Sequence, residues 1–104
     1  MLKVLQSANY RRWASRIKDR KGLAAINAGI RRVSLHETLV GDYRFLGDEV
    51  AELRFFSGPG YRVYVSIQNS ELLLLLVGGD KSSQDRDILD AKKMLRDWKT
   101  SHGV

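Results

Sequence analysis

The chain has 104 residues, 43% of them hydrophobic, with 9 Gly and 1 Pro, which fits one domain and excludes a disordered or low-complexity protein. It has no cysteine, which excludes disulfides, thiolate metal sites and a cysteine nucleophile. The formal net charge of +6 suits a polyanionic partner. Composition alone does not separate RNA, DNA and an acidic protein from a charge that serves only solubility.

In chain order, Lys3 to Gln6 can make a short first strand. Residues 8–19 read as a helix, with Tyr10, Trp13, Ala14 and Ile17 on one face and Arg11, Arg12, Ser15 and Lys18 on the other. Lys21 and Gly22 break that pattern. A second helix follows over about 23–35, with Leu23, Ile26, Ile30 and Val33 facing inward. The short link predicts an antiparallel helical hairpin.

The period then changes to two. Tyr43 to Leu46, between the turn pairs Gly41-Asp42 and Gly47-Asp48, is a strand, and Val50 to Phe56 is the next. Ser57-Gly58-Pro59-Gly60 turns the chain into a strand over Tyr61 to Ile67, and Asn69-Ser70 turns it again. Leu72 to Val77 is apolar at every residue, which predicts a central strand covered on both faces. Ser82 or Ser83 caps a last helix, favoured by Asp85 and Asp87 at its positive end and striped by Ile88, Ala91, Leu95 and Trp98. The tail frays from Thr100. The expected class is α+β: a helical hairpin on a three- to four-stranded antiparallel sheet, with a C-terminal helix, forming one domain over 1–104.

Arg11, Arg12, Arg16 and Lys18 interrupt the N-terminus too early for a signal peptide. The apolar run at 72–77 is far shorter than the roughly 18 residues of a membrane span. A cytoplasmic protein with no membrane partner is the expectation.

Glu52-Leu53-Arg54, Gly58-Pro59-Gly60-Tyr61-Arg62-Val63-Tyr64, Leu74-Leu75-Leu76, Gly78-Gly79-Asp80-Lys81-Ser82-x-Gln84 and Asp87-Ile88 together resemble one known pattern. It is that of the RelE/ParE superfamily, in the "addiction module killer protein" branch close to the HigB-like toxins. The resemblance spans nearly the whole chain. It implies a fold related to the microbial RNases and metal-free, cofactor-free cleavage of mRNA in the ribosomal A site. It also implies translation inhibition, growth arrest and a cognate antitoxin, commonly a small helix-turn-helix protein that alone would touch operator DNA. A free monomer and a two-plus-two complex with an antitoxin dimer are expected. Two other readings stay open: a ParE-like inhibitor of DNA gyrase, and a non-catalytic nucleic-acid-binding homologue.

Cleavage through the ribose 2′-OH needs an acceptor for its proton, a cation for the phosphorane and a donor to the leaving oxygen. His36, at the end of the second helix, and His102, in the tail, do not read as a catalytic pair. The resemblance assigns the work to Arg62, Arg54 and Lys81. Arg62 offers a planar fork for two phosphate oxygens. Arg54, on the neighbouring strand, can share its face. Lys81 matches a basic position bordering the site. Tyr61, Tyr64 and Arg44 are candidate RNA contacts, though for each tyrosine a core or edge role competes. The plainer alternatives are a salt bridge from Arg62 to Glu52 and a surface role for Lys81. Asp80 binds Arg62 or caps the last helix. Glu52 resembles a base used by a few relatives, but a strand salt bridge is the stronger expectation. The terminal tyrosine of some relatives is absent, with Trp98 in the last helix instead.

Overall fold

A computed structural model describes residues 1–103. Its elements run β1 (Lys3–Gln6), α1 (Ala8–Ser15), α2 (Arg20–His36), β2 (Tyr43–Phe45), β3 (Ala51–Phe55), β4 (Tyr61–Gln68), β5 (Leu72–Gly79), a 3-10 turn (Lys81–Ser83) and α3 (Gln84–Ser101). The sheet has the order β1-β5-β4-β3-β2. It therefore has five strands, not three or four. It is also mixed rather than antiparallel, because β1 runs parallel to β5 while the other pairs are antiparallel. A parallel neighbour needs a crossover. Here α1 and α2 begin it, carrying the chain across one face from the β1 edge toward the β2 edge.

Alternation along the strands builds two cores. Ala51, Leu53, Val63, Val65, Leu73 and Leu75 face α1 and α2 and meet Tyr10, Ile26, Ile30 and Val33. Tyr64, Leu74, Leu76 and Val77 face α3 and meet Ala91 and Leu95. β5 lies between β1 and β4, with helices on both faces, as its uninterrupted apolar run predicts. The α+β class and the terminal helix stand.

The first helix stops at Ser15 rather than continuing to 19. Asp19 ends the link by accepting from the Gly22 amide at 3.0 Å, which caps α2 and starts it at Arg20. Gly22 is thus no breaker. It sits in the first turn of α2, where a Cβ would come within 2.6 Å of the Tyr61 ring. α1 packs on β5, and α2 packs on β3 and β4.

A bulge interrupts the β4–β5 ladder, where Tyr64 pairs with Val77 but Val65 pairs with Leu75. Leu76 is the extra residue, so Leu76 and Val77 both enter the core beneath α3. The Leu76 carbonyl accepts from the Ser7 hydroxyl at 2.5 Å, and the same oxygen of Ser7 accepts from the Tyr10 amide at 2.9 Å to cap α1. Among the described residues, no helix is long and apolar enough to cross a membrane.

Candidate functional site

The strand register assembles the basic residues. Arg54 stands opposite Arg62, and Glu52 stands opposite both Tyr64 and Arg44. All five lie on the α3 face of the sheet, because each is two residues from the next along its strand or directly across from it. α3 covers Tyr64 and Glu52. The side chains of Arg44, Arg54 and Arg62 remain 49%, 36% and 14% exposed.

Glu52 is the centre of this group and is wholly buried. Its Oε2 accepts from the Tyr64 hydroxyl at 3.0 Å and from Gln84 Nε2 at 2.9 Å. Arg62 Nε lies 3.6 Å from Oε2 and Arg44 Nη2 lies 3.4 Å from Oε1. A carboxylate without water needs such partners, since its desolvation costs several kcal/mol. Burial, then the Glu52 charge, holds the Tyr64 phenol protonated well above its ordinary range.

The second arginine has its own counter-charge. Arg54 Nη2 donates to Asp42 Oδ1 at 3.0 Å, and the Arg54 amide donates to the Asp42 carbonyl at 2.9 Å. Asp42 therefore grips Arg54 twice. The repulsion expected of two adjacent arginines is relieved inside the protein, by Glu52 and Asp42. Two donors at this site remain without hydrogen-bond partners: Arg54 Nε and Arg62 Nε are both buried.

The Gly-rich turn brings Lys81 to the same place. Arg62 Nη1 donates to the Gly60 carbonyl at 2.9 Å. A Cβ at Gly60 would lie 3.3 Å from Arg62 Nη1 and 3.7 Å from the Lys81 Cβ. Gly60 is at φ +80°, which favours glycine, and any side chain there would crowd the Arg62 guanidinium and the stem of Lys81. Lys81 is exposed and has no ion pair among the described residues.

The block from Gly78 to Asp87 forms one structural unit. Gly78 admits the Trp13 ring on one face and Gly79 admits the Asp87 carboxylate on the other. Asp87 accepts from the Ser83 hydroxyl at 2.5 Å. Asp80 accepts from the Ser82 amide at 2.8 Å and the Ser82 hydroxyl at 2.5 Å, capping the 3-10 turn. These bonds hold the Asp80 carboxyl below its ordinary range, with a smaller contribution from the Arg62 charge. Asp80 therefore takes neither expected role as such: Arg62 pairs with Glu52 and not with Asp80, and the cap Asp80 makes is of the 3-10 turn and not of α3.

Four of the six expected residues, Arg44, Arg54, Arg62 and Lys81, reach the surface around this site. The two tyrosines do not. Tyr64 is 0% exposed beneath α3. Tyr61 lies on the opposite face, edge-on to Trp13, with its hydroxyl 3.4 Å from Asp19 Oδ2. Neither presents a ring for stacking on a base. His36 ends α2 in the other layer, and His102 stacks on Trp98 at the far end of α3. In the sequence alone, Gln84 carries no role and Asp42 reads only as a turn residue. The sole signal for Gln84 was its place in the GGDKSxQ block.

Chemically, the site presents guanidinium groups held by carboxylates beside the exposed Lys81 side chain, an arrangement that suits phosphate oxygens. No protein-family model matches the chain, and no solved structure matches it. An uncharacterized protein of Haemophilus influenzae is 38% identical over 96 residues, covering 92% of this chain and 95% of that protein. The chain belongs to the same family as that protein.

Proposed function

We propose that the protein is the toxin of a type II toxin–antitoxin system. In this reading it is a RelE/ParE-like, HigB-like endoribonuclease that cleaves mRNA on the ribosome without a metal. The observation that carries it is the direct opposition of Arg54 and Arg62 on one sheet face, with Lys81 beside them. Arg62 holds the scissile phosphate and stabilises the charge that develops as the ribose 2′-oxygen bonds to phosphorus. The 5′-oxygen leaves with a proton, for which the Lys81 ammonium is the donor. The 2′ proton passes to solvent. Stabilisation by one such fixed donor is worth about 10²–10³ in rate. A cognate antitoxin, of the small helix-turn-helix kind, is the partner that silences the toxin.

A second reading draws on the carboxylates. Arg54 and Arg62 are already matched by Asp42 and Glu52, as in a face built to bind protein. This favours a gyrase inhibitor or a non-catalytic binding homologue. Induced expression in bacteria, with mRNA ends mapped by primer extension, separates the two. Growth arrest with cuts confined to translated regions, lost in Arg62→Ala and Lys81→Ala, supports the nuclease. Arrest with intact mRNA and altered DNA supercoiling replaces it with the gyrase reading.

A further inference from the structure

The first residue of α3 reaches back to the sheet. Gln84 is half-buried, and its Nε2 donates to Glu52 Oε2 at 2.9 Å. It follows directly on the 3-10 turn that carries Lys81, so this one bond ties the turn and the start of α3 to β3.

The bond also decides how Glu52 holds its arginines. Oε2 accepts from two neutral donors, Gln84 and the Tyr64 hydroxyl. Arg62 Nε stands 3.6 Å from the same oxygen, beyond hydrogen-bond reach, and has no hydrogen-bond partner. Arg44 Nη2 lies 3.4 Å from Oε1, which likewise accepts no hydrogen bond. Glu52 therefore attracts both arginines by charge alone, while its hydrogen bonds come from uncharged groups. A guanidinium held in this way can move to a phosphate oxygen, which accepts charge-assisted hydrogen bonds, without leaving the buried carboxylate bare.

We propose that Gln84 is a positioning residue, whose amide holds the buried Glu52 so that Arg62 is free to take a phosphodiester of RNA. The choice of RNA rests on the nuclease reading. A carboxylate out of water needs several partners, so Tyr64 does not suffice alone. Without the amide, Oε2 has a vacant acceptor position that Arg62 Nε, 3.6 Å away and unpartnered, is placed to fill. The guanidinium then closes on Glu52, and its fork is withdrawn from the surface.

Substitution can turn this hold into a titration. Glu52 meets Arg44 from β2, Arg62 and Tyr64 from β4 and Gln84 from α3, while Asp87 acts on Tyr64 and Asp80 on Arg62. Gln84→Glu sets a second carboxyl against Glu52. The pair keeps one proton in mild acid, which preserves the hydrogen bond and the single negative charge. As the pH rises that proton is lost, and the added charge draws Arg62 back. Asp80 and Asp87 are the same in the wild type, which is the baseline.

The test uses the whole protein and a 2′-O-methylated RNA trinucleotide without terminal phosphates, which offers phosphodiesters but no nucleophile. Binding is followed by the NMR signal of Arg62 Nε. In the wild type that signal should shift on binding, while the Gln84 side-chain amide stays bonded. Gln84→Leu should bind about tenfold more weakly at every pH, the scale of one net hydrogen bond. Gln84→Glu should match the wild type near about pH 5.5 and fall to or below Gln84→Leu by about pH 8.5. Asp85→Asn, a charge change at the next, exposed residue, should gain no such pH dependence. Thermal melting checks folding, and Gln84→Glu carries the test if Gln84→Leu does not fold. An unmoved Arg62 signal in the wild type, wild-type affinity in Gln84→Leu or a pH-independent loss in Gln84→Glu would each overturn the proposal. Mapping mRNA ends reads the other hypothesis. Binding in the expected pattern without mRNA cuts removes the nuclease alone, and cuts made equally by wild type and Gln84→Leu remove this proposal alone.

Discussion

Arg54 and Arg62 face each other across the β3–β4 ladder, yet each turns its guanidinium to a different carboxylate, Asp42 at 3.0 Å and Glu52 at 3.6 Å. Two positive groups share one surface without confronting each other. Glu52 also accepts hydrogen bonds from Tyr64 and Gln84 and pairs with the Arg44 charge. The site is therefore held in shape before any ligand arrives.

Arg62→Lys keeps the charge but loses the planar fork. If the proposed nuclease reading holds, growth arrest should fall to near that of Arg62→Ala, while urea unfolding shows Lys the less damaging of the two. Full toxicity in Arg62→Lys would show that geometry at this position does not matter and would remove Arg62 from the catalytic role.

Glu52→Ala should cost about 3–5 kcal/mol, because the Arg62 guanidinium loses its counter-charge and a phenol and an amide lose their acceptor. Glu52→Gln keeps an acceptor and should cost less. Chemical denaturation ranks the two. If the order is reversed, the carboxylate is not the anchor of the cluster.

Asp80 and Asp87 predict opposite dependences on acid. Ser82 lowers the Asp80 carboxyl below the ordinary aspartate value of 3.8, so its stabilisation is present above that value and is lost as the pH falls through the folded value. Burial raises Asp87, so its favourable contribution is present below 3.8 and is lost as the pH rises through the folded value. Asp80→Ala should therefore destabilise at pH 7 and matter little in strong acid. Asp87→Asn should raise stability at neutral pH relative to acid. Denaturation midpoints across the acid range check both signs.

Burial raises the Tyr10 phenol to about 12. Its folded value exceeds its unfolded value, so its stabilisation is complete below pH 10 and is lost as the pH rises through 12. Tyr10→Phe should make the alkaline loss of stability shallower. An unchanged alkaline transition would place the cause with Tyr61 or Tyr64, both also raised.

Gly78→Ala drives a methyl group into the Trp13 ring and should cost about 1–3 kcal/mol. Adding Trp13→Leu should recover part of that loss, giving a less than additive double mutant. Strict additivity in thermal melting would mean that the glycine serves the backbone and not the ring.

Much of this arrangement was legible in the residues. Alternation placed Arg54 and Arg62 together, and the apolar run at 72–77 marked the central strand. Two kinds of information were not local. Residues 3–6 look like a strand, but nothing in them names Leu72 to Leu75 as parallel partners. Likewise Asp42, read as a turn residue, reveals its hold on Arg54 only once β2 has paired with β3. Gly22 misled for a related reason: its small size serves Tyr61, almost forty residues away, and a local reading sees only a helix breaker.

Ser7 ends one element and begins another, and its hydroxyl is aimed by Leu76. An eight-residue helix has almost no stability of its own. During synthesis α1 leaves the ribosome long before the carbonyl that orients its cap exists. The N-terminal helix is thus completed by a residue made near the end of translation, so a truncated chain lacking β5 would lose its first helix along with its last.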